Sequence, residues 1–393
     1  MKSKEKQAII GLSFIYVARM LGLFMLMPVL ALDNQQLLGS TPFLLGLAVG
    51  VYGLAQALLQ FPFGSISDRM GRKPVLVFGL LLFIAGSLLG AWTDNIWGVI
   101  FARTLQGAGA VSSVLLALAG DLTGEAHRTK AMAAIGGSIS IAYVLGMVLG
   151  PLIYGYSGLP GVFFWSAVLG VMALLPISFI IPKGDIANWQ RMGSIQDVLR
   201  VFLRPSVQMA SIGIFFLQTI LGASFVVISP ELLHAAQLPK DSIWKVYIPV
   251  MLAGIILMIY PVVYAEKNGQ LGKMLSFSAV VLAIGALGMG LYPTHFWLIA
   301  ISAVAFFTGY NIASAILPSM VSRSTESKDR GAASGVYSMM QFLGIFSGGV
   351  LGGLGLWWIG ARGVFALISI VGCVLALYAR ISLVTNRLLR RTS

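Results

Sequence analysis

From Ala8 to Leu32 the chain runs through 25 residues with a single charge, Arg19. A helix needs about 20 apolar residues to cross a hydrocarbon layer about 30 Å thick, so a run of this length and purity reads as a membrane span. No small-residue cleavage site follows it, so it is expected to stay as a helix rather than leave as a signal peptide. The same pattern recurs to the end of the chain, interrupted by short breaks of charges, prolines and glycines. Placing boundaries at those breaks predicts twelve spans: 7–32, 42–66, 74–92, 96–120, 130–155, 161–181, 206–231, 243–264, 273–292, 296–321, 331–356 and 361–383. The chain is 58% hydrophobic and 10% charged, with a mean hydropathy of +0.90, far outside the range of soluble domains. The fold class expected is all-α, integral to the membrane.

An even number of spans puts both termini on one side. The amino terminus, the even-numbered loops and the carboxyl terminus hold 21 of the 26 Lys and Arg residues; the opposite loops hold Lys240, Lys245 and Arg362. The positive-inside rule therefore predicts cytoplasmic termini. A net charge of +13 does not point to nucleic acid, which needs the basic residues gathered on one soluble face rather than scattered between spans. The single cysteine, Cys373, excludes an internal disulfide and a CxxC metal site. His127, His234 and His295 are isolated from one another, and no phosphate-cradling glycine loop of the P-loop type occurs. Ser112 and Ser113 have no His or Asp company and read as packing. Neither a metal, nor a cofactor, nor an enzymatic activity is expected.

The longest internal break, Pro182 to Pro205, separates six spans from six. This predicts a first half at 1–181, a linker at 182–205 and a second half at 206–393. In the linker, "SIQDVLRVFLR" opens with a capping pattern, Ser194 and Asp197, and spaces Ile195, Val198, Leu199, Phe202 and Leu203 along one helical face, with Arg200 and Arg204 on the other. An amphipathic helix on the membrane surface is expected there. The halves echo each other. At an offset of 198, Asp68, Arg69 and Gly71 fall on Glu266, Lys267 and Gly269; at 202, Arg128, Gly107, Gly146 and Gly150 fall on Arg330, Gly309, Gly348 and Gly352. Two six-helix halves joined by a linker are the plan of a secondary transporter.

Three motifs carry a family resemblance. "GSISDRMGRKP" at residues 64–74 looks like the loop 2-3 signature of the major facilitator superfamily, "RTLQGAGA" from Arg103 resembles its span 4 motif, and "GMVLGPLIYG" from Gly146 resembles the span 5 motif of its twelve-helix drug:proton antiporters. Tyr154 stands where that last motif normally has glycine. "RMLGLFMLMPVL", "IWKVY" and "VYSMMQFLG" look most like the YajR-type transporters. That group can carry a soluble carboxyl-terminal domain; this chain stops at Ser393, so no function of that domain is expected. The resemblance implies two pseudo-symmetric halves in the inner membrane, alternating access, a small-molecule substrate, and protons as the coupling partner. A monomer in the lipid bilayer is expected.

The charged cluster of the first motif, Gly64, Asp68, Arg69, Gly71, Arg72 and Lys73, reads as a conformational latch. Gly71 suits a tight turn and Pro74 the first turn of span 3. Asp68 has the sign to favour the amino end of span 11 near Gly331 and Ala332, and Arg72 can reach Asp121 at the end of span 4. Inside the membrane lie Arg19, about 18 Å along span 1, and Arg103, about 11 Å along span 4. A buried arginine costs on the order of 3 kcal/mol, so each should face a partner or a wet cavity. Arg103 reads equally well as a brace that satisfies the Phe24 carbonyl, freed of its donor by Pro28. Further cavity candidates are Tyr16, Gln56, Gln106, Gln218, Tyr260, Tyr310, Asn311 and Gln341. All thirteen acids fall at span ends or in loops, which leaves Asp33 as the leading proton-coupling candidate, with Asp68 and Asp121 behind it. Gly146, Gly150 and Gly155 with Pro151 read as a helix-packing motif.

Overall fold

The computed structural model describes residues 3–33, 36–179, 200–324 and 330–392. They form helices α1 (Ser3–Leu30), α2 (Pro42–Met70), α3 (Arg72–Trp92), α4 (Ile96–Ala108), α5 (Ser112–Asp121), α6 (Glu125–Phe179), α7 (Pro205–Ala236), α8 (Trp244–Lys267), α9 (Leu271–Leu291), α10 (Phe296–Ser324) and α11 (Arg330–Thr392). Among the described residues, strand-like pairing is limited to one isolated bridge, Leu38 with Asn95. The start of the linker helix expected from Ser194 lies outside the described residues.

Among the described residues, ten helical stretches are long and apolar enough to cross a membrane, α4 and α5 together making one of them. Two are far too long to cross once. α6 has 55 residues and α11 has 63, which at 1.5 Å per residue exceeds twice a hydrocarbon layer. Each is interrupted by a glycine with positive φ: Gly158 at +63° and Gly360 at +69°. Only glycine adopts that conformation at no steric cost, so the chain turns there and a second span begins. The breaks fall between the spans read at 130–155 and 161–181, and at 331–356 and 361–383. They are 202 residues apart, the spacing of the internal repeat. Counted across them, the described chain holds twelve segments of spanning length.

Two compact units emerge: residues 1–40 with 51–195, and residues 41–50 with 196–393. In the first, α1 lies on α6 and α3 lies on α4 and α6; in the second, α7 lies on α11 and α9 on α10 and α11. The same device tightens both. A Cβ on Gly150 would lie 2.2 Å from the Met25 carbonyl oxygen, and one on Gly348 would lie 2.2 Å from that of Thr219. Small residues let these backbones approach, which in lipid is the main source of helix association. The start of α2 joins the second unit for the same reason: a Cβ on Gly46 would lie 2.2 Å from the Gly349 carbonyl oxygen.

Candidate functional site

Three polar assemblies are built into the first unit. The first sits at the turn from α2 to α3. Gly71, with φ +103° and ψ 147°, reverses the chain and donates its N–H to the Ser67 carbonyl at 3.1 Å. That turn brings Arg72 back over the last turn of α2. Arg72 is fully buried; Nη1 reaches Asp68 Oδ1 at 2.5 Å and donates to Ser67 Oγ at 2.6 Å, and Nε donates to Asp121 Oδ2 at 3.1 Å. Ser67 passes its own proton to the Gly64 carbonyl at 2.6 Å. One guanidinium thus ties the end of α2 to the end of α5. Of the motif's other cations, Arg69 is exposed and Lys73 half-buried. Ser67, absent from the sequence reading, is the residue that links Arg72 to Gly64.

The second assembly surrounds the two buried arginines, each 1% exposed. Arg19 Nη1 donates to Ser112 Oγ at 2.7 Å and Nη2 to Gln56 Oε1, while Gln56 Nε2 donates to the same Ser112 oxygen at 3.2 Å. Tyr16, buried on α1, lies beside Ser112 and Arg19 as well. Arg103 Nη1 donates to Gln106 Oε1 at 3.0 Å, and Gln106 Nε2 to Ser87 Oγ at 2.8 Å. Between the two guanidinium groups lies the Tyr52 ring, its centroid 6.0 Å from Arg19 and 4.9 Å from Arg103, within cation–π range. Arg19, Tyr16, Gln56, Arg103 and Gln106 therefore come together in two linked groups. Tyr52 was missed in sequence, and Ser112 was read there as packing. Tyr52 precedes Gln56 by one helical turn, which is the signal that could have found it.

The third joins α1 to α6. Asp33, 5% exposed at the end of the first span, accepts the Tyr154 hydroxyl at 2.5 Å. The departure from the antiporter glycine thus supplies the donor that this buried carboxylate needs. Gly146 and Gly150 hold α6 against Phe24 and Met25 just below, and Pro151 is buried between them and Tyr154 in the chain. Gly155 is partly exposed.

Among the described residues, the candidates of the second unit are neutral polar side chains. Gln218 on α7 lies beside the Tyr310 hydroxyl on α10, and both are buried. Asn311, also buried, turns its amide nitrogen toward Gly254 of α8, and Gln341 is buried on α11. Tyr260 is 76% exposed and stacks on Tyr264 beside exposed Ile256, Ile259 and Val263, apart from the buried candidates. Glu231 lies within the last two turns of α7, which runs on to Ala236, and it stands beside His234 and Arg362. Pro230 lacks an N–H, but the helix passes through it and carries the acid with it.

The comparisons with known proteins agree with this architecture. The Major Facilitator Superfamily profile matches residues 12–273. Inner membrane transport protein YajR of Escherichia coli (strain K12) is 37% identical over 351 residues, covering 89% of this chain and 77% of that protein. Multidrug resistance protein MdtH of Yersinia enterocolitica is 26% identical over 343 residues, covering 86% and 83%. Among solved structures, the xylose transporter XylE of E. coli superposes with a TM-score of 0.72 over 96% of this chain and 97% of that one, at 13% identity, a likeness of fold. With its profile match, its YajR-like sequence and its helical architecture, this multi-pass membrane chain belongs to the major facilitator superfamily and is a transporter of small molecules rather than an enzyme.

Proposed function

We propose that the protein is an inner-membrane secondary transporter that exports small amphiphilic compounds in exchange for protons, with both termini in the cytoplasm. The observation that carries this reading is the charge asymmetry of the buried polar groups. Arg19 is held by Ser112, Gln56 and the Tyr52 ring, all of them neutral. An arginine keeps its proton at any accessible pH. A cavity positive in this way favours anionic, zwitterionic or neutral amphiphiles over lipophilic cations. Coupling falls to Asp33, the buried acid held by Tyr154. The Asp68, Arg72 and Asp121 cluster serves as the conformational latch, its charges gathered where the ends of α2, α3 and α5 meet.

The resemblance to YajR supports the inner membrane, and the name of MdtH supports export of foreign compounds. A second reading, import of a metabolite, is favoured by Tyr154 in place of the antiporter glycine. Flux in proteoliposomes, with matched anionic and cationic dyes and with or without an imposed pH gradient, separates them. Anion efflux accelerated by inward-directed protons is the expected result. Flux indifferent to the gradient sinks antiport, and robust transport of cations alone sinks the assigned charge preference.

A further inference from the structure

The fourth span is not one helix. α4 ends at Ala108 and α5 starts at Ser112. Between them Ala110 N–H bonds the Ala108 carbonyl at 2.7 Å and Val111 N–H the Gly109 carbonyl at 2.8 Å, so the regular ladder is replaced by two tight turns. The run Gly107-Ala108-Gly109-Ala110 allows this: a Cβ on Gly107 would lie 2.3 Å from the Tyr52 carbonyl oxygen and one on Gly109 2.4 Å from that of Gly79, which clamps the break between α2 and α3.

A broken helix in mid-span creates a new amino terminus there. The first-turn N–H groups of α5 have no partner within the helix, and Val111 at the cap position offers no side-chain bond to them. The positive end of a half-helix pointing into a transporter's midplane is a recurrent site for anionic substrate groups. A second, independent feature points the same way. Arg19, 1% exposed, is aimed at this terminus through its bond to Ser112, the first residue of α5, and its Nε has no hydrogen-bond partner. Both features present hydrogen-bond donors and positive charge, and the acceptors around them are neutral.

We propose that the α4–α5 break, with Arg19 and Ser112, is an anion subsite that takes the monoanionic headgroup, a carboxylate or phosphonate, of a carried amphiphile. This rests on the charge preference proposed above and gives it an address. The headgroup displaces Gln56 and Ser112 as partners of the guanidinium and accepts from the open amides of the first α5 turn. The site is closed to solvent in this conformation, so loading belongs to another stage of the transport cycle.

The test uses the full-length protein purified in detergent, with unfolding followed by tryptophan fluorescence. The probes are octanoate, octylphosphonate, octanol and octyltrimethylammonium, which share one tail. Both anions should raise the unfolding temperature of the wild type, and the cation should not. Val111→Asp places a carboxylate beside the same amino terminus, where it competes with the ligand for the positive helix end. It should weaken anion binding about tenfold or more, as should Arg19→Gln, with Ser112→Ala weaker in effect. Val111→Thr, isosteric with valine and carrying a neutral cap, keeps the test open should the aspartate fail to fold; it should weaken the anions by a few fold while retaining stability. Selective stabilisation by anions that persists unchanged in Arg19→Gln and in the Val111 variants overturns the subsite and leaves the charge preference standing. Equal stabilisation by all four probes, or none by the anions, overturns both.

Discussion

The Tyr154 hydroxyl donates to Oδ1 of Asp33 at 2.5 Å, across 121 residues of sequence and between the end of the first span and the middle of α6. The two residues answer each other: a carboxylate buried at that depth needs a donor, and a tyrosine in a motif position that normally holds glycine supplies one. Removing the donor by Tyr154→Phe leaves the carboxylate short of a charge-assisted bond. Loss of about 1.5–3 kcal/mol of stability is expected, visible as a lowered unfolding temperature. Asp33→Asn keeps the Oδ1 acceptor for Tyr154 and should fold normally. It has no exchangeable carboxyl proton, so gradient-driven flux should disappear while substrate exchange at equal pH persists. Gradient-driven flux at the wild-type rate in Asp33→Asn excludes Asp33 as the coupling site.

Arg72 is the hub of three side chains, and the consequences of its removal follow from burial. Arg72→Met leaves Asp68 and Asp121 as neighbouring carboxylates with no cation between them. Uncompensated charge of that kind costs about 3–5 kcal/mol, whereas Arg69→Ala, at an exposed site one turn away, should change stability by no more than about 0.5 kcal/mol. Asp68→Asn retains shape and tests the latch: the balance between facing states, read by cysteine accessibility or spin-label distances, should shift. An unchanged balance and unchanged transport refute a latch at this position.

Gly150 and Gly137 lie on the same helix, and their surroundings predict opposite outcomes. A Cβ at Gly150 would sit 2.2 Å from the Met25 carbonyl oxygen, a backbone atom that cannot swing aside, so α1 and α6 must separate. Gly150→Ala should destabilise by about 1–3 kcal/mol. At Gly137 nothing lies within 4 Å, and alanine there should stabilise the helix by about 0.5–1 kcal/mol through its lower chain entropy. Thermal unfolding of the two variants, side by side in one detergent, reads the contrast. Equal effects would show that the α1–α6 approach does not govern stability.

The spans, the half-repeat and the turn at Gly71 are legible in sequence because each is local: an apolar run, a spacing, a glycine before a proline. The breaks at Gly158 and Gly360 are legible for the same reason, since short polar or glycine-rich gaps mark them. Partners are not local. Ser112 lies 93 residues from Arg19, and nothing in "VSSVLL" distinguishes a hydroxyl that packs from one that accepts from a guanidinium. Tyr260 is hard to place for a different reason. α8 is apolar nearly all round, so hydrophobic periodicity does not say which face looks inward, and a tyrosine on the outer face reads like one in a cavity. The span read from sequence stops at Glu231, whereas α7 runs on for five residues beyond it, because Pro230 does not stop the helix.

Tyr52 makes the last prediction sharp, because its ring and its hydroxyl can be separated. The ring face lies 4.9 Å from the Arg103 guanidinium and 6.0 Å from that of Arg19, in a site from which water is excluded. A desolvated cation–π contact is worth up to about 2 kcal/mol, and here one ring serves two cations whose hydrogen-bond partners are mostly neutral amides and hydroxyls. Tyr52→Phe preserves the face and should keep most of the stability and most of the anion flux. Tyr52→Leu keeps the apolar volume but removes the quadrupole, so both guanidinium groups lose a favourable neighbour at once. Its unfolding temperature should fall well below that of the phenylalanine variant, and the difference should shrink when Arg103 is also replaced by Gln. Additive losses in that double variant would mean that Tyr52 acts by packing alone and that the two arginines are held in place without it.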